Sequence, residues 1–87
     1  MKNIQIELPN YNKNSGFKFN WSDGFKISFN TENNYGTLKA NKEGLISLAN
    51  HLLNLAQDEV PCNYHIHLDE HNSLEDGSIE LIIEKCE

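Results

Sequence analysis

Residues 64–71, Tyr-His-Ile-His-Leu-Asp-Glu-His, concentrate the side chains most capable of chemistry in this 87-residue chain. Alternation with period two puts His65, His67 and Asp69 on one face of a strand, with His71 just beyond. Tyr64, Ile66 and Leu68 take the other face. Two imidazoles and a carboxylate side by side are ligands that zinc accepts. A catalytic zinc needs three such protein ligands and one open position. His65 and His67 are therefore the weak metal candidates of the chain.

The series His65-Ile-His67-Leu-Asp69-Glu70-His71 resembles the His-x-His-x-Asp-His signature of metallo-β-lactamase-fold hydrolases. It departs from that signature by the extra Glu70, and those enzymes draw further ligands from the distant loops of a much larger αββα sandwich. Only His51 and scattered carboxylates remain here to supply them. The competing reading is ordinary sheet chemistry. If strands over 62–69 and 78–85 pair with Tyr64 opposite Ile83, then His67 faces Glu80 and His65 faces Ile82, with Glu84 diagonal to His65. Cross-strand His–Glu contacts are unremarkable on a half-exposed face. The same register turns Cys62 and Cys86 to opposite faces, which disfavours a disulfide. The sequence has no glycine-rich phosphate loop, no Ser-centred elbow and no paired-carboxylate cleft. The expectation is a non-enzyme with no cofactor and no bound metal. A small metal-binding protein or hydrolase using His65, His67 and Asp69 is the alternative, as is an accessory domain without activity.

The elements that must carry these side chains follow from the hydrophobic pattern. Ile4, Ile6 and Leu8 alternate up to Pro9, and Phe17, Phe19 and Trp21 alternate before Ser22-Asp23-Gly24. Phe25, Ile27 and Phe29 continue the pattern beyond that loop, which predicts a hairpin pairing Trp21 with Phe25, Phe19 with Ile27 and Phe17 with Phe29. A further strand spans Tyr35 to Ala40, and Asn41 is placed to cap a helix. Along that helix Leu45, Ile46, Leu48, Ala49, Leu52, Leu53, Leu55 and Ala56 form one half of the circumference. Ser47, Asn50, His51, Asn54, Gln57 and Asp58 form the other. The apolar half is expected to lie on a sheet, so that Leu52→Asp would abolish folding. The fold class is then α+β: an antiparallel sheet of about six strands, order ββββαββ, with one amphipathic helix on one face, forming a single domain over 1–87.

Charge narrows the partners. Residues 1–42 carry six lysines against three carboxylates, and residues 43–87 carry Lys85 against ten, for a net charge of −6. No arginine is present, so the bidentate contact favoured by nucleic-acid readers is missing. Neither nucleic acid nor membrane is expected as a partner, and no apolar run approaches the ~20 residues of a spanning helix. The acidic half suits a basic protein partner. Unpaired cysteines and no export signal point to the cytoplasm.

Three stretches together resemble a small family of immunity proteins from bacterial polymorphic toxin systems: Gly36-Thr-Leu-Lys-Ala-Asn41-Lys-Glu-Gly44-Leu45 leading into the helix, His65-Ile-His67-Leu-Asp69, and Gly77-Ser78-Ile-Glu80-Leu81. The resemblance covers about residues 36–85. It implies a cytoplasmic protein that binds and blocks a cognate toxin domain, a basic one such as a nuclease suiting the charge. Asp69, Glu70, Glu75 and Asp76 are the expected charged rim, extended by Glu80, Glu84 and His67 on the histidine face. The helix's polar side, with Asn50, His51 and Asn54, is the rival surface. A homodimer through an open sheet edge is a further expectation.

Overall fold

Asn41 fixes the start of the helix and ties it to the neighbouring strand. Its side-chain oxygen accepts the Gly44 N–H at 2.8 Å, capping helix α1 (Lys42–Leu55), and also accepts the Lys26 N–H at 2.9 Å. Its amide donates to the Gly24 carbonyl at 2.9 Å. A computed structural model describes residues 1–87. Strand β1 (Ile27–Glu32) pairs antiparallel with β2 (Tyr35–Ala40) across an Asn33-Asn34 turn, in which Asn33 takes the left-handed region at φ 53°. Beyond the helix, β3 (His65–Leu68) pairs antiparallel with β4 (Leu81–Glu84).

Gly44 sets how closely the helix approaches β1. A Cβ there would press on the Lys26 carbonyl oxygen and stand 2.9 Å from Ile27 Cγ1. Ile27, fully buried, forms the centre of the core with Leu68 and Leu74, and Trp21, Phe25, Phe29, Leu38, Leu48, Leu81 and Ile83 pack around it.

The six-stranded sheet is not what forms. The order is ββαββ, with two separate two-stranded sheets and one helix. Residues 4–8 and 17–21 are not strands; a lone Asn12–Gly16 bridge is the only pairing before β1. The Glu7 and Lys18 carbonyls and the Asn20 N–H instead find partners on the helix, and the Phe17 N–H donates to the Tyr64 hydroxyl. Of the expected aromatic hairpin only the Trp21–Phe25 stack survives, with ring centroids 4.4 Å apart. Ile27 and Phe29 pair with β2 on one side, and on the other their carbonyls accept the Glu75 and Ile79 N–H groups at 2.8 and 2.9 Å. The Leu74–Ile79 segment thus bridges the two sheets.

The last two strands are shorter than expected and shifted by two residues. Asn63, at φ 73°, ends the extended run before β3, and Ile66 pairs with Ile83 rather than Leu81. A shift of two preserves the faces, because side chains alternate with that period. His65 now lies opposite Glu84 and His67 opposite Ile82. Cys62 and Cys86 are unpaired and exposed, and the Cys62 thiol donates to the Cys86 backbone carbonyl at 3.0 Å without a disulfide joining the two.

Candidate partner-binding surface

The helix lies with its polar half inward. Ser47, Asn50, His51 and Asn54 are buried, while Leu45, Ile46, Leu52 and Leu53 are 54, 47, 45 and 49% exposed. Of the expected apolar half only Leu48 and Leu55 still face the core; the rest reverses the sequence expectation, and its cause is visible in the hydrogen bonds. The N-terminal segment runs along the helix twice without forming a ladder, so its N–H and C=O groups must be satisfied by side chains. Asn50 donates to the Glu7 carbonyl at 3.0 Å and Gln57 to the Pro9 carbonyl at 3.1 Å. On the return pass Asn54 donates to the Lys18 carbonyl at 3.0 Å, His51 Nε2 accepts the Asn20 N–H at 2.9 Å, and Ser47 Oγ accepts the Ser22 N–H at 2.8 Å. Five polar side chains clamp residues 7–22 to the helix. The rival binding surface of Asn50, His51 and Asn54 is therefore interior.

His51 is the centre of this clamp. It is 0% exposed and ringed by Phe17, Phe19 and Trp21, the Trp21 ring standing edge-on at 4.3 Å. Because Nε2 accepts a hydrogen bond, the ring proton of the neutral form sits on Nδ1, which has no partner. Desolvation in this aromatic box lowers its pKa from 6.5 to about 4. His51 is a structural base held neutral.

The histidine strand presents a different environment. His67 Nδ1 lies 3.0 Å from Glu80 Oε2, and His65 Nδ1 lies 3.8 Å from Glu84 Oε1, with all four side chains about half exposed. The His67–Glu80 contact persists although the register makes it diagonal rather than direct. The two imidazole rings are 4.9 Å apart. Asp69 does not join them: its carboxylate accepts the His71 and Asn72 N–H groups at 2.9 and 3.1 Å, shaping the turn after β3. No three His, Cys, Asp or Glu side chains come together in a metal-holding arrangement.

The loop beyond Asp69 carries the acidic residues, and they do unequal work. Glu70 accepts the Gly77 N–H at 2.9 Å, closing the loop on itself. Glu75 is fixed through its backbone to Ile27, but its carboxylate, like that of Asp76, is exposed and makes no hydrogen bond or ion pair. Glu80 and His67 continue this acidic surface onto the outer face of β3 and β4. A shallow groove of about 240 Å³ beside the helix is lined by Leu52, Leu55, Ala56, Ile83, Glu84 and Lys85. No helix is long and apolar enough to cross a membrane.

Sequence reasoning missed the outward apolar stripe of α1. The available signal was the irregular, asparagine-rich chain before residue 22, whose backbone needed polar partners. A comparison with protein families matches residues 37–86 to the model described as immunity protein 32. That span covers most of β2 and all of α1, β3 and β4, more than half of the chain. No curated protein and no solved structure gives a significant match. The chain belongs to the immunity protein 32 family.

Proposed function

We propose, from the chain's membership of the immunity protein 32 family, that it binds a cognate toxin domain and neutralises it by covering its working surface. The family match is the observation that carries this reading. The setting we infer is the bacterial cytoplasm, within a polymorphic toxin system, with residues 1–87 acting as one unit and without catalysis of their own. A basic toxin domain, such as a nuclease, is the partner that the net charge of −6 suits.

The charged contact surface we assign comprises Asp69, Glu70, Glu75, Asp76 and Glu80 with His67. Within it, Glu75 and Asp76 are the residues expected to meet the partner directly, since their carboxylates are not engaged in the fold. Asp69 and Glu70 support the surface by holding the loop's shape. Homodimerisation through a sheet edge has no specific observation in its favour.

The test is co-purification with the toxin domain encoded beside this chain, followed by a growth-rescue assay. Glu75→Lys with Asp76→Lys is expected to slow association on the order of tenfold at low salt, with dissociation little changed. Unchanged association in that double variant would remove the loop from the interface, and failure to bind or rescue would remove the toxin reading itself.

A further inference from the structure

The apolar stripe on the outside of α1 belongs to neither the core nor the acidic loop. Leu52, Leu45, Ala56, Ala49, Leu53 and Ile46 fall, in that angular order, within an arc of roughly 120° at about 100° per residue. The four larger side chains are each about half exposed. Lys42 sits in the same arc at the N-terminal end, and Asp58 and Glu59 follow the C-terminal end, all three exposed.

The stripe reads nearly the same in both directions about Ala49. Leu45 and Leu53 are equidistant from it, as are Ile46 and Leu52. Such a surface is complementary to itself under a two-fold axis that makes two copies of the helix antiparallel. Alanine at the crossing point lets the backbones approach toward the 8–10 Å typical of packed helices. The antiparallel arrangement also sets Lys42 of one copy opposite Ala56 of the other, at the negative end of that helix just ahead of its acidic Asp58-Glu59 continuation, and opposes the two helix dipoles favourably.

From this we infer that the chain self-associates through the outer face of α1, the occupant of the stripe being a second copy of the same helix. The size of the stripe sets the strength. Fourteen helical residues span about 21 Å, and a strip one helix wide falls short of the roughly 800 Å² per partner of standard stable interfaces. The dimer is therefore weak and reversible. Each copy carries −6, and salt screens this long-range repulsion between copies more than it weakens the close Lys42 contacts at the helix ends, so the dimer strengthens with salt. A complex with a basic toxin has the opposite salt dependence, which separates the two interactions.

Sedimentation equilibrium of the full chain between roughly 5 and 500 µM, at low and moderate salt, tests the inference. A concentration-dependent shift from monomer toward dimer is expected, larger at the higher salt. Leu53→Glu, at an exposed position, should reduce dimer formation at least tenfold while leaving the circular dichroism spectrum unchanged. Leu45→Glu provides the same test from the other end of the stripe. A strictly monomeric wild-type chain across that range, or a dimer that persists in both variants, would overturn it. Neither result would bear on toxin binding, which is measured separately by co-purification.

Discussion

Acid should destabilise this protein through His51. In the folded chain its pKa lies at about 4, against 6.5 for an exposed imidazole. Between those values the unfolded chain binds a proton that the folded chain refuses, so stability rises with pH across the window. The contribution is fully present above about pH 6.5 and is lost as pH falls toward 4. Linkage over a gap of about 2.5 units gives a total of about 3 kcal/mol, of which about 2 kcal/mol is gone between pH 7 and pH 5. For 87 residues a total stability of roughly 4–13 kcal/mol is ordinary, so the loss is a substantial fraction of it. Protonation would also bring a ring N–H against the Asn20 N–H and break the contact that closes the aromatic box. Urea denaturation at pH 7, 6 and 5 measures the effect. His51→Gln retains an acceptor for Asn20 but cannot titrate, and subtracting its pH profile from that of the wild type isolates the His51 term. If the two profiles run parallel between pH 7 and pH 5, the buried, neutral imidazole is refuted.

Other consequences follow from the same geometry. Gly44→Ala, which at an exposed helix position would gain up to about 1 kcal/mol, should destabilise instead, by about 1–3 kcal/mol in thermal or urea melts, because the methyl meets the Lys26 carbonyl and Ile27. Asn41→Ala removes the helix cap and both links to the Gly24–Lys26 segment, and should cost about 2 kcal/mol by the same measurement. Leu52→Asp should leave a folded protein, weakened by no more than about 1–2 kcal/mol, as judged by circular dichroism and melting. The shared groove with Ile83 accounts for most of that loss.

The last of these reverses what periodicity alone suggests, and the reversal marks the boundary of what the sequence discloses. Strand Tyr35–Ala40, the Asn41 cap and the start of α1 were all legible, because each depends on neighbouring residues, while the helix stops at Leu55, short of the Gln57 and Asp58 expected on it. The alternation that turns Ile66 and Leu68 inward and His65 and His67 outward was legible for the same reason, even though the register was two residues off. Which half of an amphipathic helix faces inward is not a local property. It depends here on an irregular segment, residues 7–22, whose backbone requires donors and acceptors that Ser47, Asn50, His51, Asn54 and Gln57 supply, with the Tyr64 hydroxyl accepting the Phe17 N–H. Once those five are turned inward, the 3.6-residue repeat obliges Leu45, Ile46, Leu52 and Leu53 to face out. The six-stranded sheet failed with it, since the two segments expected to be strands bond to the helix. The acidic loop was partly legible: Glu75 and Asp76 stand free, but nothing in their spacing revealed that Asp69 and Glu70 shape the loop.

The inward Ser47, Asn50, His51 and Asn54 and the outward Leu45, Ile46, Leu52 and Leu53 of α1 underlie both the stability predictions and the self-association. Thiol labelling tests that orientation most directly. In a background of Cys62→Ser and Cys86→Ser, one variant carries Ser47→Cys, nearly isosteric at a site 1% exposed, and another Leu53→Cys, at a site 49% exposed. At low micromolar concentration, where the chain is monomeric, the thiol at position 53 should react at close to the rate of a free peptide. The thiol at position 47 should stay protected until urea unfolds the chain. A freely reactive thiol at 47 together with a protected one at 53 would contradict the orientation.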